Sequence, residues 1–235
     1  MATLNAADTL PRALASIQRY AEGTELIVID GGSTDATLEI LQANREHVSH
    51  LVSEPDDGIY DALNKGLNLA TRTWFYVMGA DDELLEGFSL ALAELEDPTT
   101  FYYGRIWDRG LESDWGGEYN DRRILMSWPN HQALLAPTDA VRSIGGFDQR
   151  YRIAADWVMH MKLWQRGSKW KYVDHIYCSY TGGLSQWGPD ERFRRHKLLL
   201  AARYLSPRAI AGYAIAGLGG KVARLGNRLA PPTRW

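Results

Sequence analysis

The stretch Glu25–Thr37, ELIVIDGGSTDAT, decides the fold. Leu26 to Ile29 form a continuous apolar run of strand length, rich in β-branched residues, and the run closes on Asp30. Gly31 and Gly32 permit a tight turn, and Ser33 or Thr34 can cap the segment ATLEILQANR, which carries helical spacing. A buried strand, an acid at its carboxyl end and a following helix make one βα unit. In sheets built from such units, ligands gather beyond the carboxyl ends of the strands.

The same alternation continues on both sides. ADTLPRALASIQRY has polar cap candidates at Asp8 and Thr9, Pro11 in the first turn, and Leu10, Leu14 and Ile17 at helical spacing. HLVSE reads as a short strand, GIYDALNKGLNLA as a helix and RTWFYVM as another strand. The expected class is α/β, with a Rossmann-like, mostly parallel sheet covered by helices on both faces. The strand WFYVM runs into GADDEL, so Asp30, Asp81 and Asp82 should converge on one sheet edge. Adjacent carboxylates raise the cost of ionising each other. A divalent cation, Mn²⁺ or Mg²⁺, would offset that cost and is commonly shared with phosphate oxygens.

Composition sets the remaining bounds. The 235 residues are 45% hydrophobic with a formal net charge of −3, enough for one large or two small domains and unlike a disordered chain. The single cysteine, Cys178, excludes an internal disulfide. The amino terminus lacks a basic start followed by an apolar run, so a cytoplasmic location is expected. Ala209 to Gly220 is too short and glycine-rich to cross a bilayer, which needs about 20 apolar residues. From Arg192 to Trp235 the chain has many Lys and Arg but no Asp or Glu. Such a segment, interleaved with Leu, Ile, Tyr and Trp, fits either peripheral contact with an anionic membrane or a solvated helical hairpin packed on the domain. Nothing resembles a nucleic-acid module.

Seven ordered pieces, NAADTL, ELIVIDGGSTDAT, SEPDDGIYDALNKGL, YVMGADDEL, NHQALL, GGFDQRYRIAADW and YTGGLS, carry a resemblance to family 2 glycosyltransferases of the GT-A fold. Within that family the chain resembles bacterial enzymes that assemble colanic acid, O-antigen and other surface polysaccharides. The resemblance spans residues 1–205 and leaves 206–235 as a basic helical tail. It implies an apolar strand before Asn5, where only MATLN stands, so the first strand is expected to be truncated and the natural start to lie upstream.

The resemblance also implies roles. Asp82 would coordinate the Mn²⁺ or Mg²⁺ that neutralises a leaving diphosphate, and Asp81 would share that metal or hold the ribose. Asp30 would contact the nucleobase or ribose, and Lys65 the base or diphosphate of a UDP- or GDP-sugar donor. Asp156, the second residue where relatives often carry Glu-Asp, would deprotonate the hydroxyl of a saccharide or polyprenyl-linked acceptor. His131, Gln132, Trp157 and Trp187 would lie near the donor sugar or acceptor. One base without a carboxylate nucleophile favours inversion at the anomeric carbon. Two other classes stay open: a nucleotide-sugar-binding pseudoenzyme or truncated fragment, and a nucleotidyltransferase, although the glycine-rich phosphate loop of the latter is missing.

Overall fold

The computed structural model describes residues 1–120, 123–125, 127, 130–164, 168–182, 188–207 and 210. Its first half is the expected set of βα units. Strands β1 (Ala2–Thr3), β2 (Ile27–Asp30) and β3 (His50–Ser53) form a parallel sheet with β2 in the centre. Helices α1 (Leu10–Tyr20), α2 (Thr37–Ala43) and α3 (Ile59–Leu69) cover it. Side chains along a strand alternate between faces, and the two cores follow that alternation. Val28 packs with Leu10, Leu14 and Leu41 of α1 and α2, whereas Ile27 and Ile29 pack with Ala62 of α3.

β1 is short and deeply placed. The Met1 ammonium donates to the Ile27 carbonyl at 2.7 Å, and Ala2 bridges in parallel to Gly79. On the Met1 side of β1, between β2 and the segment Trp74–Met78, lies an apolar cavity of about 330 Å³, lined among others by Met1, Ile27, Ile29, Tyr76 and Phe88. This geometry changes the reading of RTWFYVM. Only Trp74–Phe75 (β4) pairs as a strand, and its partner is antiparallel. Since β1 reaches no farther than Gly79, Tyr76 to Met78 run beside the cavity without a ladder.

The second half adds a mixed sheet. Its order is β4, β8 (Leu134–Pro137), β6 (Thr100–Asp108), β9 (Lys169–Tyr180) and β5 (Glu83–Leu84), with β7 (Ser113–Gly116) also paired to β6. β6 runs parallel to β9 and antiparallel to β7 and β8. Helix α4 (Glu86–Ala93) lies against β9 so closely that a Cβ at Gly87 would sit 2.3 Å from the Ile176 carbonyl oxygen. Helices α5 (Thr138–Ser143), α6 (Ala155–Leu163) and α7 (Glu191–Tyr204) close the largest core around Phe147, Val158, Met161 and Phe193. Asp190 caps α7 through the Phe193 amide at 2.9 Å and accepts from the amides of Ile153 and Ala154, which ties α7 to the entrance of α6.

Candidate active site

The carboxyl end of β2 is a closed corner. Asp30 is fully buried; its carboxylate accepts from Ser53 Oγ at 2.7 Å, the Ser33 amide at 3.0 Å and the Gly32 amide at 3.2 Å, and also bonds the Ser33 hydroxyl. Register explains the reach of Ser53, because it stands directly opposite Asp30 in the parallel pair. These partners hold the carboxylate in place and make Asp30 the organiser of the turn that follows β2. Gly31 leaves room for Asp56, whose carboxylate oxygen would lie 2.6 Å from a Cβ at that position.

Lys65 is likewise engaged. Its Nζ lies 2.8 Å from Glu54 and 3.1 Å from Asp61, and these hydrogen bonds raise its pKa. It fastens α3 to the loop that carries Asp56 and Asp57.

The turn Gly79–Asp82 is built differently. Asp82 is 1% exposed, and its Oδ2 accepts from the Gly79 amide at 2.8 Å and Gln132 Nε2 at 3.1 Å. Its Oδ1 and the Gln132 Oε1 are buried without a hydrogen-bond partner among the described residues. Burial pushes the Asp82 carboxyl up to about 6; the Gly79 amide opposes that rise and Asp81 adds to it. Asp81 is only half-buried, so the pair offers one accessible carboxylate backed by one enclosed carboxylate.

Residues His131–Ala133 form a single helical turn capped by Asn130, whose Oδ1 accepts from the Gln132 amide at 3.1 Å. Tyr76 donates its hydroxyl to the Gln132 carbonyl at 2.8 Å. The turn reaches two acids at once. Gln132 meets Asp82, and His131 Nδ1 lies 3.0 Å from Asp156 Oδ2. Asp156 stands in the first turn of α6, with its Oδ1 accepting from the Trp157 amide at 2.7 Å and Tyr60 Oη at 3.3 Å. Burial alone would raise its carboxyl, but the His131 hydrogen bond, the nearby imidazoles and the Trp157 amide together hold it below the usual carboxylate range. One turn along α6, His160 is fully enclosed, and burial lowers its pKa to about 4.

The structure brings Asp82, Gln132, His131 and Asp156 together, and places Asp30 and Lys65 in other contacts. Adjacent residues on a helix point about 100° apart, and the Trp157 indole turns to α7, packing tilted on Phe193 at 4.6 Å between centroids, with Lys197 Nζ 4.0 Å from its ring. Trp187 and most of the basic tail lie outside the described residues. Tyr60 and His160 went unassigned in the sequence, although His160 follows Asp156 by one helical turn and that spacing marks a shared face.

No group of three or more His, Cys, Asp or Glu suited to a metal occurs among the described residues. Two carboxylates still match the donor set of a cation that takes one or two protein ligands and fills its shell with phosphate oxygens. The unpartnered Asp82 Oδ1 fits such a role.

Comparison with known proteins gives a consistent picture. Residues 1–152 match the family described as Glycosyl transferase family 2. A PGL/p-HBAD biosynthesis glycosyltransferase of Mycobacterium bovis is 35% identical over 203 residues, covering 81% of this chain and 79% of that protein. An uncharacterized glycosyltransferase of Mycobacterium tuberculosis is 32% identical over 166 residues, covering 66% and 63%. Among solved structures, S. aureus TarS 1-349 in complex with UDP-GlcNAc superposes with a TM-score of 0.66 at 17% identity, covering 86% of this chain and 64% of that one. The mannosyltransferase PcManGT from Pyrobaculum calidifontis, in complex with GDP-Man and Mn²⁺, gives 0.67 at 21% identity, covering 91% and 67%. The chain thus spans less than two thirds of the TarS structure, and at these identities the likeness establishes the GT-A fold.

Proposed function

The chain belongs to the family 2 glycosyltransferases, and from that premise we propose that it moves a sugar from a UDP- or GDP-sugar to a hydroxyl of a saccharide or polyprenyl-linked acceptor, with inversion at the anomeric carbon. The observation that carries this reading is the turn His131–Ala133, which touches the acid of the GADDEL turn with one residue and the acid of α6 with the next. A donor-side carboxylate pair and an acceptor-side carboxylate are thereby held around one crevice.

Asp81 and Asp82 are the residues that would hold Mn²⁺ or Mg²⁺, whose bound charge would offset that of the leaving diphosphate. Asp156 is the carboxylate that drives removal of the acceptor proton. With Asp81 and Asp82 assigned to the cation, Asp156 is the remaining acid of the group, and a single base without a carboxylate nucleophile supports direct displacement by the acceptor oxygen. A role in building a bacterial surface glycoconjugate is supported by the relative named for PGL/p-HBAD biosynthesis.

A membrane-bound acceptor would meet α7. Its outer side exposes Arg192, Arg194 and Arg195 beside Leu198 and Leu199, which are 56% and 71% exposed. That pairing of cations and leucines suits peripheral contact with an anionic bilayer. No helix among the described residues is long and apolar enough to cross a membrane.

The test is calorimetric titration with UDP and with GDP, each with and without Mn²⁺. Metal-dependent binding of one nucleotide is expected, and failure of both to bind would overturn the reading. Co-sedimentation with phosphatidylglycerol vesicles, but not with phosphatidylcholine vesicles, is the expected result for α7.

A further inference from the structure

The two oxygens of Asp156 are not equally open. A carboxylate oxygen offers about two lone-pair directions. Oδ1 accepts from the Trp157 amide at 2.7 Å, and the Tyr60 oxygen covers the same atom at 3.3 Å, its own proton going to the nearer Ile153 carbonyl at 2.7 Å. Oδ2 has one partner among the described residues, His131 Nδ1 at 3.0 Å. Its second direction is open, on a side chain that keeps 26% of its surface exposed. A carboxylate that is to take up a proton starts ionised and can only accept, so the hydrogen in the His131 contact belongs to Nδ1 whether the ring is neutral or charged.

The imidazole is aimed from a pinned turn. The Ala133 amide donates to the Asn130 carbonyl at 2.8 Å and the Gln132 amide to Asn130 Oδ1 at 3.1 Å, while Tyr76 and Asp82 hold Gln132 from its other sides. Trp157 belongs to the same helical turn as Asp156 and moves with it. His131 comes from a different element, so its contact is the one that fixes Oδ2 relative to the donor side of the crevice. Alignment of this kind matters, because a misplacement of about 1 Å can cost on the order of 10² in rate.

We propose that His131 is a positioning residue for glycosyl transfer: its Nδ1–H holds Asp156 so that the open side of Oδ2 meets the acceptor hydroxyl. This rests on the glycosyl-transfer reading above, in which Asp156 is the base, and deepens it by naming the oxygen that takes the proton and the group that aims it. The acceptor O–H gives its proton to Oδ2 as the acceptor oxygen bonds to the anomeric carbon. The bond from that carbon to the diphosphate oxygen breaks, and its electron pair leaves with the nucleoside diphosphate. His131 keeps its own proton throughout and acts only through Asp156.

Substitutions separate aiming from other duties. Asn puts an amide N–H where Nδ1 stands, Gln carries it out to the place of Nε2, and Leu supplies none. The readout is release of UDP from UDP-GlcNAc, or of GDP from GDP-mannose, with Mn²⁺ present and water as acceptor. His131→Leu and His131→Gln should lower kcat about 100-fold with donor KM within about threefold, and His131→Asn should recover most of the loss. Equal losses in all three variants, or a rise in KM with kcat unchanged, would overturn the proposal. Nitrogen-15 NMR of histidine-labelled protein, with the His131 signals identified by their loss in His131→Asn, should show Nδ1 protonated; a bare Nδ1 would overturn it whether or not turnover is seen. Failure of the unchanged protein to bind UDP and GDP with Mn²⁺ would strike the glycosyl-transfer reading and this role with it, whereas normal binding with undiminished kcat in His131→Leu would strike the role alone.

Discussion

Asp30, at the end of β2, and Asp82, in the turn before β5, are both almost wholly enclosed, but their surroundings are opposite. Around Asp30 each carboxylate oxygen has a partner supplied by the adjoining turn or by β3. Around Asp82 one oxygen is capped, whereas the other, like the Gln132 Oε1, has no hydrogen-bond partner among the described residues. A satisfied buried acid organises backbone; an unsatisfied one stores free energy that a ligand can release. The first corner is a frame, and the second, joined through residues 131 and 132 to Asp156, is where chemistry is set up.

The sharpest way to break this division is Asp156→Asn. It should lower turnover by about 10³-fold and leave nucleotide binding intact, because an amide cannot take up the acceptor proton. Wild-type turnover would remove Asp156 from the reaction.

Asp82→Asn comes next. Metal-dependent nucleotide binding should vanish while the fold becomes more stable at pH 7.5, by about 3 kcal/mol, since a carboxyl raised from 3.8 to about 6 is penalised throughout the range where it is ionised. The sign as a function of pH follows from linkage. Asp82 favours the folded state most below pH 3.8, and that preference is lost as pH rises to about 6. His160, lowered from 6.5 to about 4, does the reverse, with full stability above 6.5 and loss as pH falls toward 4. The two slopes largely offset each other between pH 4 and 6. Urea unfolding of Asp82→Asn should therefore show stability climbing with pH across this window, and His160→Gln should show it falling; parallel profiles would refute both assignments.

Asp30→Ala tests the frame. It strands two serine hydroxyls and two amides, so the fold should lose roughly 3 kcal/mol while nucleotide affinity, measured well below the melting temperature, stays within a few fold. An unchanged unfolding midpoint with collapsed affinity would give Asp30 the ligand role read from sequence rather than that of a frame. The smallest effect is expected from Lys65→Met. Its partners Glu54 and Asp61 are partly solvated, and such pairs contribute on the order of 0.5 kcal/mol.

Much of this organisation was legible in the residues. The strand–turn–helix of Glu25–Thr37 and the helix of GIYDALNKGLNL follow from local pattern, whereas the acid that opens α6 was singled out by the family resemblance. What was hidden depends on partners distant in sequence. The carboxylate of Asp30 has the same letter whether it binds a nucleotide or its own turn, and only the register of β3 brings Ser53 to it. Trp157 follows a reactive acid and so reads as a sugar platform, yet the turn of α6 sends it to α7. The full strand expected from RTWFYVM failed for want of a neighbour, not of propensity. The antiparallel partners of β6 and its parallel run along β9 were likewise unreadable, since no local signal names a strand's neighbours.

The apolar pocket beside β1 gives the protein a place for small apolar guests. It lies between β2 of the parallel sheet and β4 of the mixed sheet and is partly open to solvent. Apolar cavities admit xenon, and gas under pressure should enter this one and brace the contact between the two sheets.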